Sequence, residues 1–221
     1  MIDVERYISM LTDSLLSEYG SRLIYIGLQG SYLRGEATEN SDIDIVVVID
    51  KLDVEDLERY RSIIQSMEAP AKSCGFICSK DDISHWNPLE IHHLLNCTKD
   101  YYGALNELVP DYTEVDIRNF IKLSLNNLYH EICHRFVHSA DNQNLSKLAG
   151  AYKGVFFILQ NLYFLQHGVF VATKSELLSL LNDNDYAVLK RANDLNTGFS
   201  HDFQDCFELI FKWCQDTLKS L

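Results

Sequence analysis

The stretch RLIYIGLQGSYLRGEATENSDIDIVVVI, residues 22–49, decides how the N-terminal half of this chain folds. Arg22 to Gln29 reads as a buried strand, and Asp42 to Ile49 as a second, built on a β-branched run. Between them the chain breaks at Gly30-Ser31, where a short helical turn is expected. Side chains alternate along a strand, so Asp42 and Asp44 share one face while Ile43 and Ile45 enter the core. Two carboxylates that close repel unless a cation lies between them, and a hard divalent ion such as Mg²⁺ suits an oxygen-rich position. A strand that stops at glycine and turns helical exposes backbone N–H groups, which favour anions. Gly30 lets a phosphate approach the backbone, and the Ser31 hydroxyl adds a donor. A phosphate cradle and a carboxylate pair on neighbouring strands describe phosphoryl or nucleotidyl transfer.

Outward from this stretch, a helix is expected over residues 2–19, ended by Gly20, and another over 53–67. Pro70 precedes a third strand, Lys72 to Ser79, and Pro88 a fourth, about Glu90 to Asn96. On that fourth strand His92 and His93 would point to opposite faces. After Pro110 the pattern turns helical, over 114–138, 146–167, 175–181, 184–195 and 202–219. This divides the chain into residues 1–110 and 111–221, joined by a packed joint rather than a tether.

The 221 residues carry 19 Lys+Arg against 32 Asp+Glu, a net charge of −13. Residues 1–110 account for −10 of it and 111–221 for −3. Such a chain repels phosphate backbones, which argues against nucleic acid as a partner and favours a cation, or an anion escorted by metal. The start MIDVERYISM lacks the apolar core of a signal peptide, and no run approaches the ~18 apolar residues that span a bilayer. The expectation is a cytoplasmic protein without a membrane partner, its six cysteines reduced thiols.

Gly-Ser, a spacer and Asp-Ile-Asp together resemble the signature of the DNA polymerase β-like nucleotidyltransferases. Two further segments, DDISHW (81–86) with PLEIHH (88–93), and LQNLYFLQHGVFVATK (159–174), resemble the streptomycin/spectinomycin adenylyltransferases. The resemblance implies an α+β fold: an N-terminal nucleotidyltransferase α/β domain with a mixed sheet, then a C-terminal helical bundle that closes over the nucleotide. It implies that Asp42 and Asp44 hold Mg²⁺, two ions being expected, against the triphosphate of ATP. Gly30 and Ser31 would bind the phosphates, and Lys174 would reach them from the helical half. Arg34 is a further candidate for phosphate, against an ordinary ion pair with Glu36. The product would be an AMP ester of a small-molecule hydroxyl, the implied acceptor being an aminoglycoside-type antibiotic. Trp86 and Asp82, after the third strand, are candidates to hold that cationic acceptor.

Two positions depart from the resembled pattern. A third carboxylate, which helps deprotonate the acceptor, is replaced by Cys74, and no acid lies between Pro70 and Lys80. A neutral thiol is a poor base, so Glu90 on the next strand is the first substitute. An arginine before the Lys174 turn is replaced by Asn161. A nucleotide-binding protein that does not turn over is therefore an alternative. So is a fused antitoxin and helical RNase toxin, although Arg135 and His138 lie closer than those toxins' Arg–His pair. His130, Glu131 and His134 match the zinc-protease pattern HExxH, but no third ligand follows at a known spacing, and a polar helix stripe is the simpler reading.

Overall fold

The computed structural model describes residues 2–139 and 144–221. The chain divides into two units, Met1–Tyr112 and Thr113–Leu221.

The first unit is built on a four-stranded mixed sheet. It opens with α1 (Val4–Tyr19), capped by the Asp3 side chain, and passes into β1 (Leu23–Gln29). A single turn, α2 (Gly30–Leu33), leads round to β2 (Ile43–Ile49), which runs antiparallel to β1. Helix α3 (Val54–Ser66), started by an Asp53–Asp56 capping box, connects to β3 (Ser73–Ser79), parallel to β2. Two short helices, α4 (Lys80–Ser84) and α5 (Pro88–Asn96), precede β4 (Lys99–Tyr102), which returns antiparallel to β1. The strand order is β3-β2-β1-β4.

Both faces of the sheet are covered. Ile8, Leu11 and Leu15 of α1 pack with Ile26, Leu28, Ile43, Ile45 and Val47, joined by α3 residues such as Ile63. On the other face Tyr25, Val46 and Val48 meet Ile83, Ile91 and Leu94 of α4 and α5. The alternation of β2 therefore puts apolar side chains on both faces along most of its length, and only its leading end carries carboxylates.

Residues 90–96, expected as a strand, are helix α5. The Asn87 side chain accepts from Leu89 N at 3.1 Å, Pro88 stands in the first turn, and Glu90 follows there. Those are helix-start signals. Ile91, Leu94 and Leu95 then follow a helical spacing that three apolar positions in a seven-residue window do not separate from a strand. The correction moves Glu90 off the sheet and puts His92 and His93 on adjacent helical positions.

Below the sheet, Arg22 forms a two-pronged ion pair with Asp56, at 3.0 and 2.7 Å, and also bonds Asp50. Asp56 is 2% exposed, and its carboxyl is held below the usual range chiefly by the Arg22 hydrogen bond. The pair therefore stabilises the fold above the ordinary carboxylate pKa, and that support is lost as pH falls through the lowered one. Arg22→Ala leaves the buried Asp56 carboxylate with only the longer Arg59 pair at 3.8 Å, and a loss of about 3 kcal/mol is expected in urea unfolding at pH 7. The difference from wild type should shrink in acid.

The second unit contains helices only: α6 (Glu114–His138), α7 (Leu145–Tyr152), α8 (Val155–His167), α9 (Lys174–Leu180), α10 (Asp183–Asn196) and α11 (Phe203–Ser220). The helix expected over 146–167 is interrupted at Lys153-Gly154, where glycine's backbone freedom costs about 1 kcal/mol of helix propensity. Helix α8 is buried nearly all round, through Phe156, Ile158, Leu159 and Leu162, and forms the centre of this unit. Leu145–His167 is the one stretch among the described residues with the length and apolarity to cross a membrane, and 56% of its apolar window is buried.

Candidate active site

The site is made where β1 ends and β2 begins. In their antiparallel register Gln29 pairs with Asp44, so the next residue, Gly30, meets the Asp44 side chain. Gly30 has φ +72°, and a Cβ there would overlap the Asp44 carboxylate. The backbone at Gly30-Ser31 thus lies directly against Asp44. Gly30→Ala would combine an unfavourable φ with a clash. The expected result is a loss of about 1–3 kcal/mol in stability, read by denaturation.

Asp44 is partly buried, and that burial pushes its carboxyl above the usual range. The Cys74 hydrogen bond and the Arg34 charge pull it down, while exposed Asp42, on the same face, pushes it up. Cys74 stands opposite Asp44 in the parallel β2–β3 pairing. Cys74 is exposed, and partial desolvation together with the two neighbouring carboxylates pushes its thiol up, so it stays protonated at neutral pH and donates to Asp44. It is neither a base nor a charge. This is a half-desolvated carboxylate with a second acid beside it, a donor set of hard oxygens that fits Mg²⁺. Among the described residues no three His, Cys, Asp or Glu side chains converge on a metal position, so further ligands would come from phosphate and water.

Arg34 closes α2 and bonds Glu36 at 2.9 Å. Its charge reaches Asp44, and also His93 and Cys97 on the α5 side. His93 lies 3.7 Å from Cys97 Sγ through Nδ1, and burial lowers it to about 4. His92 is buried, 3.2 Å from the Tyr112 hydroxyl, and burial also lowers it to about 4. Both imidazoles are neutral at pH 7. Glu90 is exposed in the first turn of α5, one turn before His93.

Trp86 stacks on Phe76 at 5.6 Å and 11°. Phe76 is two residues past Cys74 and shares its face, so Trp86 lies over the same side of the sheet as Asp44. Asp82 belongs to the capping box of α4, accepting from Ser79 N at 3.0 Å, and its carboxyl is lowered chiefly by the Ser79 side-chain hydrogen bond. The structure thus gathers Gly30, Ser31, Asp42, Asp44, Cys74 and Arg34 at one strand end. It sets Trp86 on the same face and occupies Asp82 in a helix cap.

Lys174 is the first residue of α9 in the helical unit, its Nζ 5.6 Å from the Phe156 ring centre. It lines a pocket of ≈ 270 Å³ with Lys153, Tyr152 and Asn193. Asn161 is buried and donates to Phe157 O at 2.8 Å, so that position faces the helical core. Sequence reasoning missed Gln160. It is 0% exposed and its Nε2 bonds Val171 O at 2.7 Å and Ala172 O at 3.3 Å, fixing the segment that leads to Lys174. A lone amide in the apolar pattern of α8 was the available signal. It also missed the bonds Tyr25 Oη to Asp100 (2.6 Å) and Gln29 Nε2 to Thr98 (2.8 Å), which tie β1 to the approach of β4. The three histidines of α6 are exposed and follow one another along the helix, His130 stacked on His134 at 5.8 Å and His134 tilted against His138 at 5.0 Å.

Residues 8–74 match the nucleotidyltransferase domain family. The segment that holds Gly30, Asp42, Asp44 and Cys74 is therefore a nucleotidyltransferase domain. Beyond that segment the likeness is one of overall fold, shared with a solved adenyltransferase. That fold is seen in the spectinomycin adenyltransferase AAD(9) from Enterococcus faecialis, crystallised with ATP and spectinomycin. The two share 16% identity over 97% of this chain and 99% of that one, with a TM-score of 0.59. A toxin–antitoxin structure with AMP-PNP also aligns, at 20% identity over 57% of this chain and 90% of that one, with a TM-score of 0.33. No curated protein matches the sequence.

Proposed function

We propose that the protein transfers AMP from ATP to a hydroxyl of a small cationic acceptor of the aminoglycoside type, with Mg²⁺ held by Asp42 and Asp44. The observation that carries this reading is the contact of the Gly30 backbone with the Asp44 carboxylate. It sets an anion-binding backbone and a cation-binding carboxylate side by side. When bound, Mg²⁺ would neutralise triphosphate charge and hold the phosphates in line for displacement. The acceptor oxygen forms a bond to the α-phosphorus, the bond to the bridging oxygen breaks, and pyrophosphate leaves. Gly30 and Ser31 orient the phosphates, with Arg34 as a cation that contacts them. Trp86 offers an aromatic face to the acceptor. Glu90 is the acid proposed to take the hydroxyl proton, now from a helix rather than a strand.

The Cys74–Asp44 pairing favours a second reading, a nucleotide-binding protein without turnover, because a protonated thiol stands beside the site. The test is calorimetry with Mg·ATP and Mg·GTP on wild type and Asp42→Asn, followed by pyrophosphate release with spectinomycin and streptomycin. Binding lost in Asp42→Asn, with acceptor-dependent release, is the expected result. Binding without release supports the second reading. Absence of binding overturns both.

A further inference from the structure

The helical unit holds an open pocket of ≈ 420 Å³ among α8, the start of α10 and the end of α11, a size typical of small-molecule sites. Its wall carries Asp183, Asp185 and Asp216, aromatic surface from Tyr163 and Trp213, and the Thr217 side chain. Asp185 accepts from Trp213 Nε1 at 2.7 Å, while Trp213 is 2% exposed. Neither Asp183 nor Asp185 has a cation partner among the described residues, whereas Asp216 lies 3.9 Å from Lys219. Thr217 is 7% exposed, lines the pocket, and its hydroxyl makes no hydrogen bond among the described residues.

We infer that this pocket binds a small organic polyamine, its ammonium groups taken by Asp183 and Asp185 and its N–H groups by the Thr217 hydroxyl. The volume suits a molecule and not a bare ion, and no three metal-ligating side chains converge there among the described residues. Three carboxylates exclude an anion. The partly exposed Tyr163 ring beside the acids suits an alkylammonium, which combines charge with an apolar stem. Burial raises the Asp185 carboxyl above its usual range, as for an acid lacking its counter-charge. The chain's net charge of −13 draws such a cation from a distance. The site is separate from nucleotidyl transfer and does not depend on that reading.

Calorimetry of the full chain with spermidine at low salt tests it. One site with Kd of about 10–100 μM is expected. Asp185→Asn keeps an oxygen for Trp213 Nε1 but removes the charge, and should weaken binding at least tenfold. Thr217→Val should weaken it about fivefold. Glu208→Gln, an exposed charge loss on α11 away from the pocket, and Asp42→Asn should leave binding within twofold. If Asp185→Asn melts well below wild type, exposed Asp183→Asn replaces it with the same expectation. No binding at 1 mM spermidine, equal weakening by Glu208→Gln, or tighter competing binding of Ca²⁺ at the same residues would each overturn the proposal.

Discussion

Asp44→Asn is expected to lower nucleotidyl transfer by about 10³-fold or more while raising the melting temperature of the nucleotide-free protein. The rate effect follows from losing the carboxylate that the Gly30 backbone touches, and with it the proposed metal position. The stability effect follows from the sign of its titration. Burial, reinforced by Asp42, raises the folded-state pKa of Asp44 above its unfolded value. The native state then holds the proton more tightly, and stability falls as pH rises through that window. At pH 7 the ionised group works against folding, and a neutral isostere removes that cost. Mg·ATP, which should raise the melting point of wild type, should not raise that of the variant. A variant that melts lower and still shifts with Mg·ATP would show that Asp44 is a structural acid.

Cys74→Asp is expected to move the other way, increasing turnover by about 10²-fold. The substituted side chain would stand opposite Asp44 in the β2–β3 register, on the face that carries the site. It would supply a proton acceptor where a protonated thiol now donates. The same change adds a third carboxylate to two that already repel, so the nucleotide-free variant should melt lower. Mg·ATP should restore more stability to it than to wild type. Unchanged pyrophosphate release in a variant that binds Mg·ATP would show that the base comes from elsewhere, with Glu90→Gln the next measurement.

How far the sequence speaks depends on whether a feature is local. Strands β1 and β2 and the break between them were legible because β-branched runs and a Gly-Ser stop act within a few residues. The helices after residue 113 were legible from spacing alone. The strand expected over 90–96 failed because three apolar residues in a window of seven, Ile91, Leu94 and Leu95, do not resolve a period of 2 from one of 3.6. The decisive cues, Asn87 and Pro88, stood just upstream. The interruption at Gly154 was invisible because both helices keep the same apolar stripe. Within the site, the shared face of Asp42 and Asp44 was readable from alternation, whereas Cys74 was placed only through the family resemblance. The bonds from Gln160 to Val171 and from Tyr25 to Asp100 join residues far apart in the chain, which no local pattern specifies.

The contact between Gly30 and Asp44 also acts as a proofreading device for the fold. A shift of one residue between β1 and β2 would bring an isoleucine against Gly30 and turn both acids into the apolar layer beneath α1. It would also expose Ile43 and Ile45 on the face that now carries charge. Such a chain would lose its core and its site in the same step. A stable register isomer without the Gly30–Asp44 contact therefore has no place on this sheet, and any molecule that survives with β1 and β2 paired has that contact in place.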